Sequence, residues 1–148
     1  MPDECSFAPE NLDDCRIKVG RVVSVSVLQH VSLEVRPDQV DACVGFWELL
    51  GFRRMTPPPA MRDRFTWVER EGTQIHLLPK DSPATTHDGH AAVLAADYEA
   101  ALARLREAGF DPRPGTDAWD APRSFVRDPA GNLVEVMSAV PEPPWPDE

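Results

Sequence analysis

One pattern occurs twice in this chain of 148 residues, and the repetition limits its possible folds more than any other feature. His30 and His90 lie 60 positions apart, His76 and Glu135 lie 59 apart, and the pairs Gly51-Phe52 and Gly109-Phe110 lie 58 apart. Between these anchors each copy reads as strand, helix, strand, strand, strand. "RVVSVSVLQHVSLEV" (21–35) alternates apolar and polar residues, the mark of a half-buried strand. "PDQVDACVGFWELLGF" carries Val40, Cys43, Val44, Trp47 and Leu50 at helical spacing, with Asp38 as the expected N-cap and Gly51 as the stop. "RFTWVERE" and "TQIHLL" read as two strands joined at Gly72. The second copy runs through "HAAVLAAD", a helix capped by Asp97 and stopped at Gly109, and the strands "RSFVRD" and "NLVEVMSA" around a "DPAGN" turn. The segments 53–64 and 111–123 read as loops, with "PRPGTDAWDAP" open to a poor strand as well. The fold class is therefore α+β: two βαβββ modules, at about 26–80 and 88–139, sharing one core.

The domain is expected to span 21–140. Residues 1–20 are polar and acidic, without periodicity, and read as an extension whose composition suits disorder. Residues 141–148, "PEPPWPDE", are a proline-rich acidic tail. The net charge of −10 disfavours nucleic acid and anionic membrane partners, because an acidic surface repels phosphate. No apolar run is long enough to span a bilayer, and "MPDEC" lacks the basic start of a signal peptide. The odd count of cysteines, Cys5, Cys15 and Cys43, carries no metal-site spacing and suggests reduced thiols in the cytoplasm.

His76 is the misfit in its strand, an imidazole between Ile75 and Leu77. Buried without a partner, it would cost free energy. Period-2 alternation puts Gln74, His76 and Leu78 on one face, and Leu133, Glu135 and Met137 on one face of the matching strand. His30 and His90 begin the first strand of each module. If the modules pair, these four polar side chains converge on a concave face. Three imidazoles and one carboxylate suit a divalent transition metal and leave a position for substrate. His87, in a loop, reads as a surface residue, and Trp47 and Cys43 as helix core. Phe65 and Trp67 alternate on one strand, where pocket wall and core are equally open readings. Met137 shares the face of Glu135 and is assigned to the pocket.

"LQHVSLEV", "GFWELLGF", "IHLLP", "GHAAVLAAD" and "FVRDPAGNLVEV" together resemble the vicinal oxygen chelate superfamily, the group of glyoxalase I, bleomycin-resistance proteins and extradiol dioxygenases. The DPxGN turn just before Glu135 is the most specific of these motifs. The resemblance covers about residues 26–139 and implies a cup-shaped, half-barrel mixed sheet with helices outside. It implies metal ligands at His30, His76, His90 and Glu135, a divalent metal such as Fe, Ni, Co, Zn or Mn, and a homodimer. Glyoxalase I carries a glutamate where this chain has His76, so this shell has one negative charge fewer. The implied activity is metal-dependent chemistry on a small oxygen-chelating substrate, with Glu135 as ligand and proton-transfer base. Lyase or isomerase chemistry is favoured over ring-cleaving dioxygenation, since the chain offers only Tyr98 and His87 for the extra groups that extradiol enzymes use. The competing reading is a metal-free drug-binding protein of the bleomycin-resistance type, whose acidic chain would suit cationic drugs.

Overall fold

A computed structural model describes residues 28–116 and 121–141. The expectations for residues 1–20, for the strand residues 21–27 and for most of the tail lie outside the described residues, as do Cys5 and Cys15. The element order is β1 (His30–Val35), a 3-10 turn (Pro37–Gln39), α1 (Val40–Leu49), β2 (Arg53–Met55), β3 (Thr66–Arg70) and β4 (Thr73–Pro79). It continues with β5 (His90–Leu94), α2 (Tyr98–Glu107), β6 (Arg113–Pro114), β7 (Arg123–Arg127) and β8 (Leu133–Met137). Two four-stranded open sheets result, ordered β1-β4-β3-β2 and β5-β8-β7-β6. In each, the first strand pairs in parallel with the last, and the other pairings are antiparallel. The two modules thus repeat one topology; the short strand β2 occupies a segment expected to be a loop, and β6 one expected to be a loop or a poor strand. No helix among the described residues is long and apolar enough to cross a membrane.

Strands β4, β5 and β7 alternate in burial as their sequences require, whereas β8 is buried at every position from Val134 to Met137. Val35, Val68, Ile75 and Leu77 of the first sheet and Val126, Val134 and Val136 of the second are buried in the core. The helices supply Phe46, Trp47, Leu102 and Leu105 to the same cluster. Phe46 meets Phe110 edge-on at 5.0 Å, so the core is continuous between modules. Cys43 is fully buried, and burial pushes its thiol up to about 12. A group held so firmly protonated is a packing residue.

The start of α1 differs from expectation. Pro37 opens a 3-10 turn, Gln39 takes the cap position, and Gln39 Oε1 accepts the Arg36 backbone N–H at 3.2 Å. Asp38 instead pairs with Arg36, with Oδ1 2.9 Å from Nε. α2 begins as its sequence indicates, with the Asp97 carboxylate accepting from Ala100 N at 3.0 Å. Both helices end on glycines with φ of 85° (Gly51) and 89° (Gly109), a conformation that costs other residues about 1 kcal/mol or more.

The DPAGN turn has a specific structural task. Buried Asp128 accepts from Ala130 N at 2.9 Å, Asn132 N at 2.8 Å and Asn132 Nδ2 at 3.1 Å. Asn132 Nδ2 also donates to the Glu34 carbonyl at 3.3 Å, and Gln39 Nε2 donates to the Pro129 carbonyl at 3.0 Å. The turn that leads into β8 thereby clasps the second module onto β1 and the entry to α1. Arg70 adds a second tie, donating to the carbonyls of Leu50 at 2.7 Å and Leu94 at 2.5 Å.

Candidate functional site

The sheet faces turned away from the helices carry all four expected ligands. In the first module Ser32 pairs with His76, and Trp67 pairs with His76 from the other side. Neighbouring strands in register bring same-face side chains within about 5 Å of one another. The result is a three-ring stack. The His30 and His76 centroids are 4.2 Å apart with planes 10° apart, and Trp67 and His76 are 4.0 Å apart with planes 3° apart. His76 Nε2 donates to Gln74 Oε1 at 2.8 Å, and His30 Nδ1 donates to Gln29 Oε1 at 2.6 Å. Burial, then the neighbouring His30, lowers the pKa of His76, which favours the neutral ring a ligand must present.

In the second module Glu135 is 5% exposed on β8 and pairs across with Phe125 of β7 and Ala92 of β5. His90 Nε2 lies 3.1 Å from Glu135 Oε2, while His90 Nδ1 is 2.7 Å from the Asp88 carbonyl. Both partners are acceptors, and a neutral imidazole has one N–H to donate. A ring protonated on both nitrogens satisfies both acceptors as an ion pair with Glu135, and a neutral ring with its N–H on Asp88 leaves Nε2 free to share a cation with the carboxylate. An Nδ1–H held by a backbone carbonyl is also how metal-bound histidines are commonly oriented. Glu135 Oε1 accepts from Arg123 Nη1 at 2.9 Å, and Arg123 Nη2 donates to the Thr116 carbonyl at 3.2 Å.

The expected ligands therefore form two pairs, His30–His76 and His90–Glu135. Among the described residues no group of three or more His, Cys, Asp or Glu side chains is disposed to hold one metal ion. The donor types fit a divalent transition metal. The His90–Glu135 pair fits as it stands, since two adjacent ligands at bonds of about 2.1 Å are separated by roughly this distance. The His30–His76 pair fits only after one ring turns about its terminal torsion, because parallel rings cannot both aim an in-plane lone pair at one ion. That torsion is soft.

The other expected pocket residues divide. Trp67 is half-buried and covers His76 rather than lining open space. Met137, 9% exposed, shares the face of Glu135. Phe65 is half-buried just ahead of β3, with the Arg64 guanidinium over its ring at 5.1 Å. His87 is exposed, as its loop position implied. Sequence reasoning assigned Arg123 no role. The signal was present: Arg123 lies two residues before Phe125, the cross-strand partner of Glu135, and period 2 carries it to the same face. A cavity of about 340 Å³ lies elsewhere, between α2 and the start of β7, with Leu102, Arg106 and Ser124 in its wall. Arg123 also borders it.

A model of the Glyoxalase/Bleomycin resistance protein/Dioxygenase superfamily matches residues 27–136. The chain belongs to this superfamily, which is the vicinal oxygen chelate group. No curated protein matches its sequence. Solved structures with the same fold include a glyoxalase family protein from Bacillus anthracis, at 20% identity and a TM-score of 0.68, covering 77% of this chain and 95% of that one. A lactoylglutathione lyase from Agrobacterium tumefaciens is 19% identical with a TM-score of 0.57, covering 78% and 95%. An antibiotic binding protein from Streptomyces sp. CB03234 is 23% identical with a TM-score of 0.59, covering 79% and 98%.

Proposed function

We propose that this chain is a divalent-metal-dependent enzyme acting on a small oxygen-chelating substrate, by lyase or isomerase chemistry rather than ring-cleaving dioxygenation. The observation that carries this reading is the approach of His90 Nε2 to Glu135 Oε2 at 3.1 Å, with His90 Nδ1 2.7 Å from the Asp88 carbonyl. Once bound, the metal would hold two adjacent substrate oxygens and stabilise negative charge developing on them. His30, His76 and His90 would be neutral donors, and Glu135 the fourth donor. Glu135 would also move the substrate proton, its Oε1 kept oriented by Arg123 while Oε2 engages the reacting centre. Trp67 would keep His76 upright, and Met137 would form an apolar wall that excludes water.

The two pairs of donors favour a homodimer, with His30 and His76 of one copy meeting His90 and Glu135 of the other. Each pair alone is half a shell, and a two-fold axis would complete two shells at once. The domain would be residues 21–140, flanked by dispensable segments, and the protein would act in the cytoplasm.

The second reading is a metal-free binding protein. Arg123 favours it, because this cation already satisfies part of Glu135. Metal analysis of full-length protein purified without added metal decides between the two. Close to one transition-metal ion per chain upholds the enzyme reading. Metal-free protein that takes up no Fe, Ni, Co, Zn or Mn sinks it in favour of sequestration.

A further inference from the structure

We infer that the cavity between α2 and β7 is a second small-molecule site, one that takes a carboxylate with an apolar body. It lies on the helix-bearing side of the second sheet, away from the cup. Alternation along β7 decides this. Arg123 and Phe125 share the face of Glu135, and Ser124 between them turns the other way, to meet Tyr98 of α2. The volume of about 340 Å³ falls within the range of about 300–1,000 Å³ that small ligands occupy. The wall joins apolar surface from Leu102, Pro114 and Pro122 to a few polar groups, a composition suited to holding a small organic molecule. The inference needs no metal and is independent of the chemistry proposed for the cup.

Two polar groups in the wall have bonding capacity to spare. Glu99, Leu102 and Arg106 recur at i, i+3 and i+7 along one face of α2, the face that borders the cavity. The Arg106 side chain makes no hydrogen bond, ion pair or ring contact among the described residues. Its planar guanidinium presents paired donors that match a carboxylate. On the sheet side, Tyr98 Oη and the buried Ser124 Oγ are 2.7 Å apart. Two hydroxyls that share one hydrogen bond have a second proton left to donate, and among the described residues nothing accepts it. An oxygen on the ligand would take that proton. Glu99 stands two helical turns, roughly 10 Å, from Arg106, so its negative charge directs a carboxylate towards the arginine. Helix polarity accounts for an acid in the first turn of α2 and a base in the last. It does not account for a cavity with an apolar wall between them.

The test is titration of full-length, isotope-labelled protein with para-hydroxybenzoate, followed by NMR. Saturable shifts are expected at the backbone amides of Leu102 and Ser124, and not at those of His76 and His90. Arg106→Gln should weaken binding about tenfold, the loss of one charge-assisted contact. Arg106→Lys should recover part of it, and Glu99→Gln should bind at least as tightly as wild type. The uncharged para-hydroxybenzyl alcohol should bind wild type about as weakly as para-hydroxybenzoate binds Arg106→Gln. Arg106 and Glu99 are exposed, so these variants should keep the wild-type fold, and the spectra themselves show it. Equal affinity in wild type and Arg106→Gln overturns the inference. So do shifts that grow without saturating, and saturable shifts confined to His76 and His90, which would put the ligand in the cup. Each of these failures leaves the metal-dependent reading standing, because metal content decides that reading separately.

Discussion

Trp67 lies flat against His76, with centroids 4.0 Å apart and planes within 3°, while His30 covers the opposite face of the same imidazole. Trp67 holds His76 from one side, so when the two histidines share an ion His30 is the ring that turns. Replacing Trp67 with Phe should keep the clamp and its metal content. Trp67→Ala should lower metal affinity and cost about 2–4 kcal/mol of stability, somewhat under the range for emptying a fully buried aromatic site because Trp67 is half-buried. Metal titration and urea unfolding on both variants check this. Unchanged metal affinity in Trp67→Ala would separate the stack from the site.

His76→Ala distinguishes a ligand from a packed core histidine. As a ligand, its loss should reduce bound metal strongly. His76→Glu should retain metal with altered preference among metals, since it restores the two-carboxylate shell of glyoxalase I. As a core residue, its loss would cost on the order of 1–3 kcal/mol from the partner left unsatisfied, with full metal occupancy. Bound metal and melting temperature, measured on the same variant, give the answer.

A shell shared between two chains predicts complementation. His76→Ala and Glu135→Ala should each be metal-poor alone. Mixed and allowed to exchange subunits, they should regain metal at about one site in four, because half the dimers are mixed and one of their two sites is intact. Light scattering should report a dimer at micromolar concentration. A monomer that binds metal would instead require all four donors to meet within one chain.

Asp128 predicts a pH dependence of stability. Burial raises its pKa above the ordinary carboxylate value, and the bonds from Asn132 offset this only in part. The folded state then holds this proton at pH values where the unfolded chain releases it. Its contribution is present below the unfolded pKa and is lost as pH rises through the folded pKa. Asp128→Asn cannot titrate and keeps an oxygen for the N–H groups of Ala130 and Asn132. Relative to wild type it should therefore gain stability between pH 4 and pH 7, as read by urea unfolding at both ends. A constant difference across that range would show that the turn does not sense the charge.

The two modules, their helices and the face of every candidate ligand were legible in the sequence because they rest on local rules. Alternation at period 2 determines which side of a strand His76 or Glu135 takes, wherever the strand goes. Helical spacing, Asp97 and the glycines at 51 and 109 delimit α2 and end α1, and the DPAGN turn marks its own place. The start of α1 was misread by one residue, because the bonds of Arg36 with Gln39 and Asp38 are side-chain choices that composition does not rank. Tertiary structure alone decided what stands beside each candidate ligand. The parallel pairing of first and last strands spans some 45 residues and brings His30 to one face of His76, while the β3–β4 register sets Trp67 against the other. The diagonal across β7 and β8 brings Arg123 to Glu135. It also set the partition of four donors into two pairs, since that depends on how two rigid sheets lie about a shared core. Such contacts are long in sequence and short in space, and no periodicity carries them.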